Sequence, residues 1–540
     1  MFRFPHLLGV AAVLLAATFL TGCDAYDMRS VEDAIDATNV RPSGTTSAPA
    51  SQLASGPSTS PFVLPESGPI ELTVERAIVL ALNNNRDLAV EKYTPQIRRT
   101  GELLELSVFD PTLAWQGQYR RARNDLGNIG GPLTVTDSAS LSAAIEQFLP
   151  TGTTIALEAD TEWSRPRDAD GAWASRVGGS VTQSLLRGYG LDVNLARLRQ
   201  ARIDTQISLY ELRGLAQLIV AQTEQAYWDY ALALRQIDIV EQSLDLAQQQ
   251  LNEIDERIRV GRLAQTERAA TEAEVATRRQ NLIEADAAAE RARLTLLRLI
   301  SPPNGDPLAR QVVLLQEPSP VEIKLDDIAC HLEIARRMRP ELNQAKLLIN
   351  RNELEIVRTR NGLLPRLDAF INFGSTGYAR SFGRSVGDID GDSYDVTAGI
   401  SGDYQLTNRT ARATYTRSLL TRDQAVAALE NLWQSVDLDV RLAFVEVTRA
   451  REQIVAAAAT RRLQEVKVRA EIEKFRVNKS TSLQVSQVQR DLLVSQLSEQ
   501  QAIAAYLIAF VELYRVEGSL LERRGIVAPG QETVELTGRR

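Results

Sequence analysis

Asp110-Pro111-Thr112-Leu113-Ala114-Trp115-Gln116-Gly117-Gln118-Tyr119 closes a helix-like stretch and opens an alternating one, and Leu364-Pro365-Arg366-Leu367 does the same in the second half of the chain. Leu113, Trp115, Gly117 and Tyr119 alternate with Thr112, Ala114, Gln116 and Gln118, and Leu367, Ala369, Ile371 and Phe373 take the equivalent face later. A period of two is the mark of a strand. Further on, Ala226-Tyr227-Trp228-Asp229 recurs as Ala443-Phe444-Val445-Glu446, and Arg259-Val260-Gly261-Arg262 recurs at the same offset as Arg476-Val477-Asn478-Lys479. The chain is therefore a duplication, and each half reads helix, strands, very long helix, break, helix. Strands feeding very long helices suit a tube built partly of sheet and partly of helix.

The long helices carry the strongest periodicity. Ile219, Ala226, Ala233, Val240, Ala247 and Ile254 are seven apart, as are Tyr230, Ile237, Leu244, Leu251 and Ile258. Sustained heptads indicate coiled-coil packing. The spacing predicts one helix over about 193–259, roughly 100 Å long at ~1.5 Å per residue, and a partner over about 411–476. Shorter helices are expected over 72–109, 265–300, 327–362 and 481–520. Two of these placed end to end match one long helix. Thr73 is the expected N-cap of the first, and Pro95 a possible kink within it. Returning strands are read at Val177–Leu185 and Val396–Leu406. Residues 138–163 read as an inserted hairpin around Leu149-Pro150-Thr151-Gly152, and the pattern leaves open whether it joins the sheet or decorates its rim.

The chain divides into a signal segment at 1–22, a Ser/Pro-rich tether at 23–69, a first repeat at 70–300, a Pro-rich linker at 301–325 expected at the middle of the helical body, a second repeat at 326–523 and a loose tail at 524–540. Arg3 followed by apolar Leu7–Leu20 and Leu20-Thr21-Gly22-Cys23 is the pattern of a bacterial lipoprotein signal. Cys23 is then the lipidated first residue, with palmitate-type chains as the anchor. Asp24 follows; in the enteric sorting pattern an acidic residue there favours the inner membrane. After Cys23 no apolar run approaches the ~20 residues of a spanning helix, so a mature chain that crosses a membrane must do so as a closed barrel.

With 2 His and 2 Cys among 540 residues, acid–base and metal chemistry are short of material, and a net charge of −8 gives no reason to expect nucleic acid. No HExxH or P-loop is present. Val386-Gly387-Asp388-Ile389-Asp390-Gly391-Asp392 lacks the spacing and closing Glu of a calcium loop. Gly188-Tyr189-Gly190 is better read as a strand-to-helix corner than as a dinucleotide fingerprint. Cys330-His331 is read as part of a helix face. Neither catalytic residues, metal ligands nor a cofactor are expected. Trp115, Trp163, Trp173 and Tyr119 are candidates for a bilayer-interface belt, while Trp228 and Trp433 are read as helix packing.

Leu72-Thr73-Val74-Glu75-Arg76-Ala77-Ile78, then Asn83-Asn84-Asn85-Arg86-Asp87-Leu88, with a second copy at Arg337-Met338-Arg339-Pro340-Glu341-Leu342 and a corner at Gln183-Ser184-Leu185-Leu186-Arg187-Gly188, resembles the TolC-like outer-membrane efflux channel family over about 70–526. The resemblance implies an α+β fold in which a duplicated strand–long-helix repeat forms a trimeric outer-membrane β-barrel continuous with a periplasmic coiled-coil tunnel. It implies four strands from each protomer, twelve in all. It implies a passive exit duct of a tripartite efflux or type I secretion system, working with a periplasmic adaptor protein and an inner-membrane pump of RND or ABC type. The adaptor would dock at the turns Val260-Gly261-Arg262-Leu263 and Val477-Asn478-Lys479-Ser480. Acidic rings after the second turn in some members are replaced here by Gln484 and Gln487, while the first repeat keeps Glu267, so a pore constriction is expected at Glu267, Gln484 and Gln487. Repulsion among three Glu267 side chains is expected to be relieved by Arg262 or Arg268. The other reading of the residues is a lipid-anchored periplasmic coiled-coil scaffold or adaptor without a pore.

Overall fold

The computed structural model describes residues 41–42, 68–125, 133–166, 170–261, 263–302, 306–320, 324–477 and 479–536. Cys23 and Asp24, Arg262 and Asn478 lie outside them. Two helices dominate, α4 (Ala196–Arg259) and α9 (Arg409–Arg476). At ~1.5 Å per residue each spans roughly 100 Å. The lower part of α4 packs on α5 (Thr266–Ile300), and its upper part on α3 (Tyr93–Leu106). In the second repeat α9 packs on α10 (Ser482–Val516) and α7 (Pro340–Asn361). Two short helices end to end therefore match one long one in both halves.

The stretch 70–109, expected as one helix, is instead divided. A short strand β2 (Ile70–Leu72) is followed by α1 (Val74–Asn84), α2 (Arg86–Glu91) and α3. Thr73 caps α1, its hydroxyl accepting from Arg76 N–H. Asn85 makes the next break: its Oδ1 accepts from Asp87 and Leu88 N–H while its Nδ2 donates to Leu299 O. That side chain both ends one helix and starts another. Pro95 sits near the start of α3, where its missing N–H matters least. The second repeat breaks at the equivalent place, between α6 (Ile328–Met338) and α7, with Pro340 at the first turn of α7.

The waist of the helical body is where these breaks gather. Within the 301–325 linker, β7 (Val312–Leu314) pairs in parallel with β2. Tyr227 Oη donates to Leu72 O and Gln316 O, and Tyr230 Oη to Val312 O. One apolar core there joins Ile70, Leu72, Leu296, Leu297, Ile300, Leu520 and Ile526 to the middle of α4. A second, around Val440, Val447, Tyr506, Phe510 and Leu513, serves the other repeat, with Trp228 packed against both and Trp433 against the second.

The tail beyond 524 is not loose over its described part. After α11 (Leu520–Arg523), β10 (Ile526–Val527) buries Ile526 and pairs antiparallel with β1 (Arg41–Pro42), inside the segment read as a tether. Tyr210 Oη donates to Glu532 O, Val534 N–H to Asn343 Oδ1 and Asn350 Nδ2 to Glu535 O.

One antiparallel sheet holds β3 (Thr112–Asp125), β4 (Leu133–Leu149), β5 (Thr153–Pro166), β6 (Ala172–Ser184), β8 (Arg366–Ala379) and β9 (Tyr394–Asp403), in that spatial order. Among the described residues the chain thus gives this sheet six strands, not the four implied by the family resemblance. The hairpin β4–β5 is not a rim ornament; it stands between β3 and β6 and is paired along its length on both sides.

The corner under this hairpin is tight. Gly152 has φ +88°, and a Cβ there would stand 2.3 Å from Gly188 O. Gly188 and Gly190 also have positive φ, and Asn194 Nδ2 ties the corner to Pro150 O and Gly188 O. Gly152→Ala is expected to destabilise the protein by about 2 kcal/mol, from the left-handed backbone and the clash together. A denaturant midpoint unchanged from wild type would contradict this.

Candidate functional site

The two faces of the sheet differ in kind. Directly opposed residues share a face, so the register sorts every strand. One face carries Leu113, Trp115 and Tyr119 of β3, Leu141 and Ile145 of β4, Leu157 and Trp163 of β5, Trp173, Val177 and Val181 of β6, Ile371 and Phe373 of β8, and Val396 and Ile400 of β9. Much of this face is open: Trp115 is 78% and Ile400 71% exposed. The other face carries Gln116, Gln118, Ser140, Ser142, Glu158, Asp160, Glu162, Arg176, Asn372 and Asp395. Apolar on one face and polar on the other is the pattern of a strand wall between lipid and water. Strands of 10 to 17 residues meet or exceed the ~9–11 needed to cross.

Aromatic rings mark one end of the apolar face. Tyr119, Trp163 and Trp173 fall in a single cross-strand row, with Ala139 between Tyr119 and Trp163. Phe382, opening the short helix α8 (Phe382–Gly387), meets Trp173 edge-on at 5.5 Å. Such a row is suited to the bilayer interface. In the same connection Asp388 Oδ2 accepts from Tyr378 N–H 3.1 Å away, which ties the calcium-like stretch back to the end of β8. Among the described residues no group of three or more His, Cys, Asp or Glu is placed to hold a metal. His331 is buried and its Nδ1 lies 2.5 Å from Glu517 Oε2, while Cys330 points outward.

On the polar face Arg176 reaches across β8 to Asp395, with Nη2 2.9 Å from Oδ2. Gly374 makes the crossing possible, since a Cβ there would stand 2.5 Å from the guanidinium.

At the far end of the helices, Gly261 ends α4 with φ +75°, a conformation L residues rarely take. Val260 and Val477 are 63% and 62% exposed, one at the end of each long helix, as bare apolar groups. Leu263 is turned inward instead, against a small core of Ile254, Phe475 and Val485. Arg257 lies over the Phe475 ring at 4.7 Å. Ser480 Oγ donates to Glu471 at 2.5 Å, and this bond, helped by Lys474, holds the Glu471 carboxyl below its ordinary range. Thr481 caps α10 through Gln484 N–H, leaving the Gln484 and Gln487 side chains exposed.

Glu267 is half-buried and accepts from Ser482 Oγ. Arg268 is engaged elsewhere, with Asp255 at 3.4 Å and Glu272 at 3.0 Å. Within the chain Glu267 is thus bonded to a hydroxyl of the other repeat and not to Arg268, while Arg262 lies outside the described residues. This link joins the two tip turns across 215 residues of sequence, which no local spacing could have revealed.

Two apolar stripes on the helices remain uncovered. Val90, Ile97 and Leu104 stand seven apart on α2 and α3 with Tyr93 beside them and Val108 just past the end of α3, and Leu438, Leu442, Val445 and Val455 line α9. The two long helices differ accordingly: α4 has buried residues along its whole length, α9 few. Seams of this kind are covered by another helix. Among the described residues no helix is long and apolar enough to cross a membrane.

Residues 332–519 match the family of outer membrane efflux proteins. A comparison with curated protein sequences returned no match. Solved structures are similar over nearly the whole chain. The CmeC outer membrane channel of Campylobacter jejuni is 14% identical with a TM-score of 0.61, covering 89% of this chain and 95% of that one. The outer membrane protein VceC of Vibrio cholerae is 12% identical with a TM-score of 0.61, covering 82% and 96%. The open-state MtrE outer membrane channel of Neisseria gonorrhoeae is 17% identical with a TM-score of 0.57, covering 85% and 91%. The second repeat thus matches the outer membrane efflux protein family, and the fold over 82–89% of the chain is similar to that of these solved outer-membrane channels.

Proposed function

We propose that this chain is the outer-membrane exit duct of a tripartite efflux or type I secretion system. Three copies close the amphipathic sheets into a barrel, and the long helices continue it as a periplasmic tunnel. Solutes move passively; the energy comes from an inner-membrane pump of RND or ABC type, linked by an adaptor. The observation that carries this reading is the sheet with one apolar and one polar face, set on uncovered heptad seams. A soluble scaffold has no use for a 78% exposed Trp115 in an open apolar sheet. Lipidation at Cys23 belongs to the same proposal as a second anchor beside the barrel.

The exposed Val260 and Val477, with Lys479 and Ser480 beside them, offer the adaptor an apolar knob at the tip of each helical pair. Glu267, Gln484 and Gln487 form the constriction just above. Planar-bilayer recording tests the duct: small conductance from wild type and larger conductance from Gly261 and Gln484 variants are expected. A folded protein silent in every variant would leave the lipid-anchored scaffold as the surviving reading.

Ser482→Ala removes the only described donor to Glu267 and loosens one turn from the other. A hydrogen bond to a charged group is worth about 1.5 kcal/mol, so open probability is expected to rise roughly tenfold. Unchanged gating in Ser482→Ala would remove this contact from the gate.

A further inference from the structure

We infer that the closed wall has eighteen strands, six from each of three copies, and that the β4–β5 hairpin is a full membrane-crossing part of it. This rests on the duct reading above and specifies its barrel. Among the described residues the sheet is open at two edges, β3 and β9. Chain direction alternates through all six strands, so β3 of one copy and β9 of the next run antiparallel when brought together. Both edges carry the same apolar face outward, Leu113, Trp115 and Tyr119 on one and Tyr394, Val396 and Ile400 on the other. Bare backbone on both edges is a template for pairing, and closure removes it. The occupant of each edge is therefore a second copy of this chain.

The hairpin cannot be left out of that wall. β4 pairs with β3 from Thr112–Glu146 to Asp125–Leu133, and β5 with β6 from Thr153–Gln183 to Ser164–Ala172. β3 and β6 therefore do not touch, and a four-strand protomer requires both ladders to be broken. Its faces also match: Leu141, Ile145 and Leu157 continue the apolar face, and Ser142, Glu158 and Asp160 continue the polar one.

Barrel diameter grows with strand number, and walls of 16–18 strands leave an aqueous channel rather than a packed core. The exit is then of porin width, and it is the helical tip that limits what passes. Glu158, Asp160 and Glu162 stand on the lumen face of β5, so the inserted hairpin also brings negative charge to the outlet, which favours cations there.

Single cysteines test this in the intact protein in its membrane, in a Cys330→Ser background. Positions are Ser142, Ala143, Glu158, Ala159, Ile371 and Asn372, probed with a charged, membrane-impermeant methanethiosulfonate. The expected result is labelling at Ser142, Glu158 and Asn372, and protection at Ala143, Ala159 and Ile371. Alternation at Ile371/Asn372 with labelling of both faces at 142/143 and 158/159 would put the hairpin outside the wall and overturn this inference alone. Loss of alternation at all three pairs would overturn the duct reading with it. Electron cryomicroscopy of the purified oligomer gives an independent count, in which twelve wall strands overturn the inference and eighteen sustain it.

Discussion

Arg524→Ala is expected to lower the unfolding midpoint severely at pH 7.5 and much less at pH 5. Glu224 is fully buried on α4, and Arg524 donates to both of its oxygens, Nε to Oε1 at 2.7 Å. Burial pushes the Glu224 carboxyl above its ordinary range, and Arg524 pulls only part of the way back. A carboxyl whose folded pKa lies above its unfolded value is least welcome when charged. Stability is therefore lost as pH rises from the unfolded pKa through the folded one, and regained on acidification. Removing Arg524 leaves the charge alone and pushes the carboxyl further up. Breaking a buried pair in this way costs about 3–5 kcal/mol. The double variant Glu224→Gln, Arg524→Ala is expected to recover most of the loss. A midpoint drop of equal size at both pH values would show that Arg524 acts through packing, not through this charge.

Ile371→Arg is expected to prevent stable assembly in the outer membrane, while Asn372→Arg is tolerated. Ile371 lies near the centre of the apolar face, between Val181 and Ala398. An Arg at the lipid midplane of such a wall costs about 2–4 kcal/mol, and the proposed trimer would carry the substitution three times. Asn372, one residue on, lies on the polar face between Ser180 and Thr397. Heat-modifiable migration of unboiled protein and resistance to carbonate extraction report assembly. Equal behaviour of the two variants would mean that this face does not meet lipid.

Much of the helical body was legible because heptads are local. Ile219 to Ile254 at seven-residue spacing fixes a helix and its buried stripe without knowledge of any partner. Strand faces were legible for the same reason: a period of two sorts Leu113 from Thr112. What a period cannot give is a neighbour. Nothing in Leu141-Ala143-Ile145 says whether β4 lies beside β3 or above the rim, since pairing is decided by backbone ladders and by the tight turn at Gly152. The division of 70–109 was hidden because Asn85 acts through its side chain on Leu299 O, a partner 214 residues away. The tail misled by composition. Its residues beyond 530 are held by their backbone, Glu532 and Glu535 through carbonyls and Val534 through its N–H, and backbone partners leave no residue type to read. At the tip, Glu267 was legible as a candidate but its hydroxyl partner was not.

The short pairing of Arg41–Pro42 with Ile526–Val527 sets the length of a leash. It fastens the N-terminal segment at the waist, beside the stretch of α4 that holds Gln217 against Gly518 and Glu224 against Arg524. Between Cys23 and Arg41 the backbone can extend at most roughly 60 Å. The sheet begins about 30 Å above Gln217 along α4, and the helical tip lies about 60 Å below it. On the duct reading proposed above, a lipid on Cys23 would reach the membrane around the sheet with length to spare. Toward the tip the same length of chain would be spent on the helices alone, so a lipid there would have no reach left for a second membrane beyond the tip, whatever Asp24 signals.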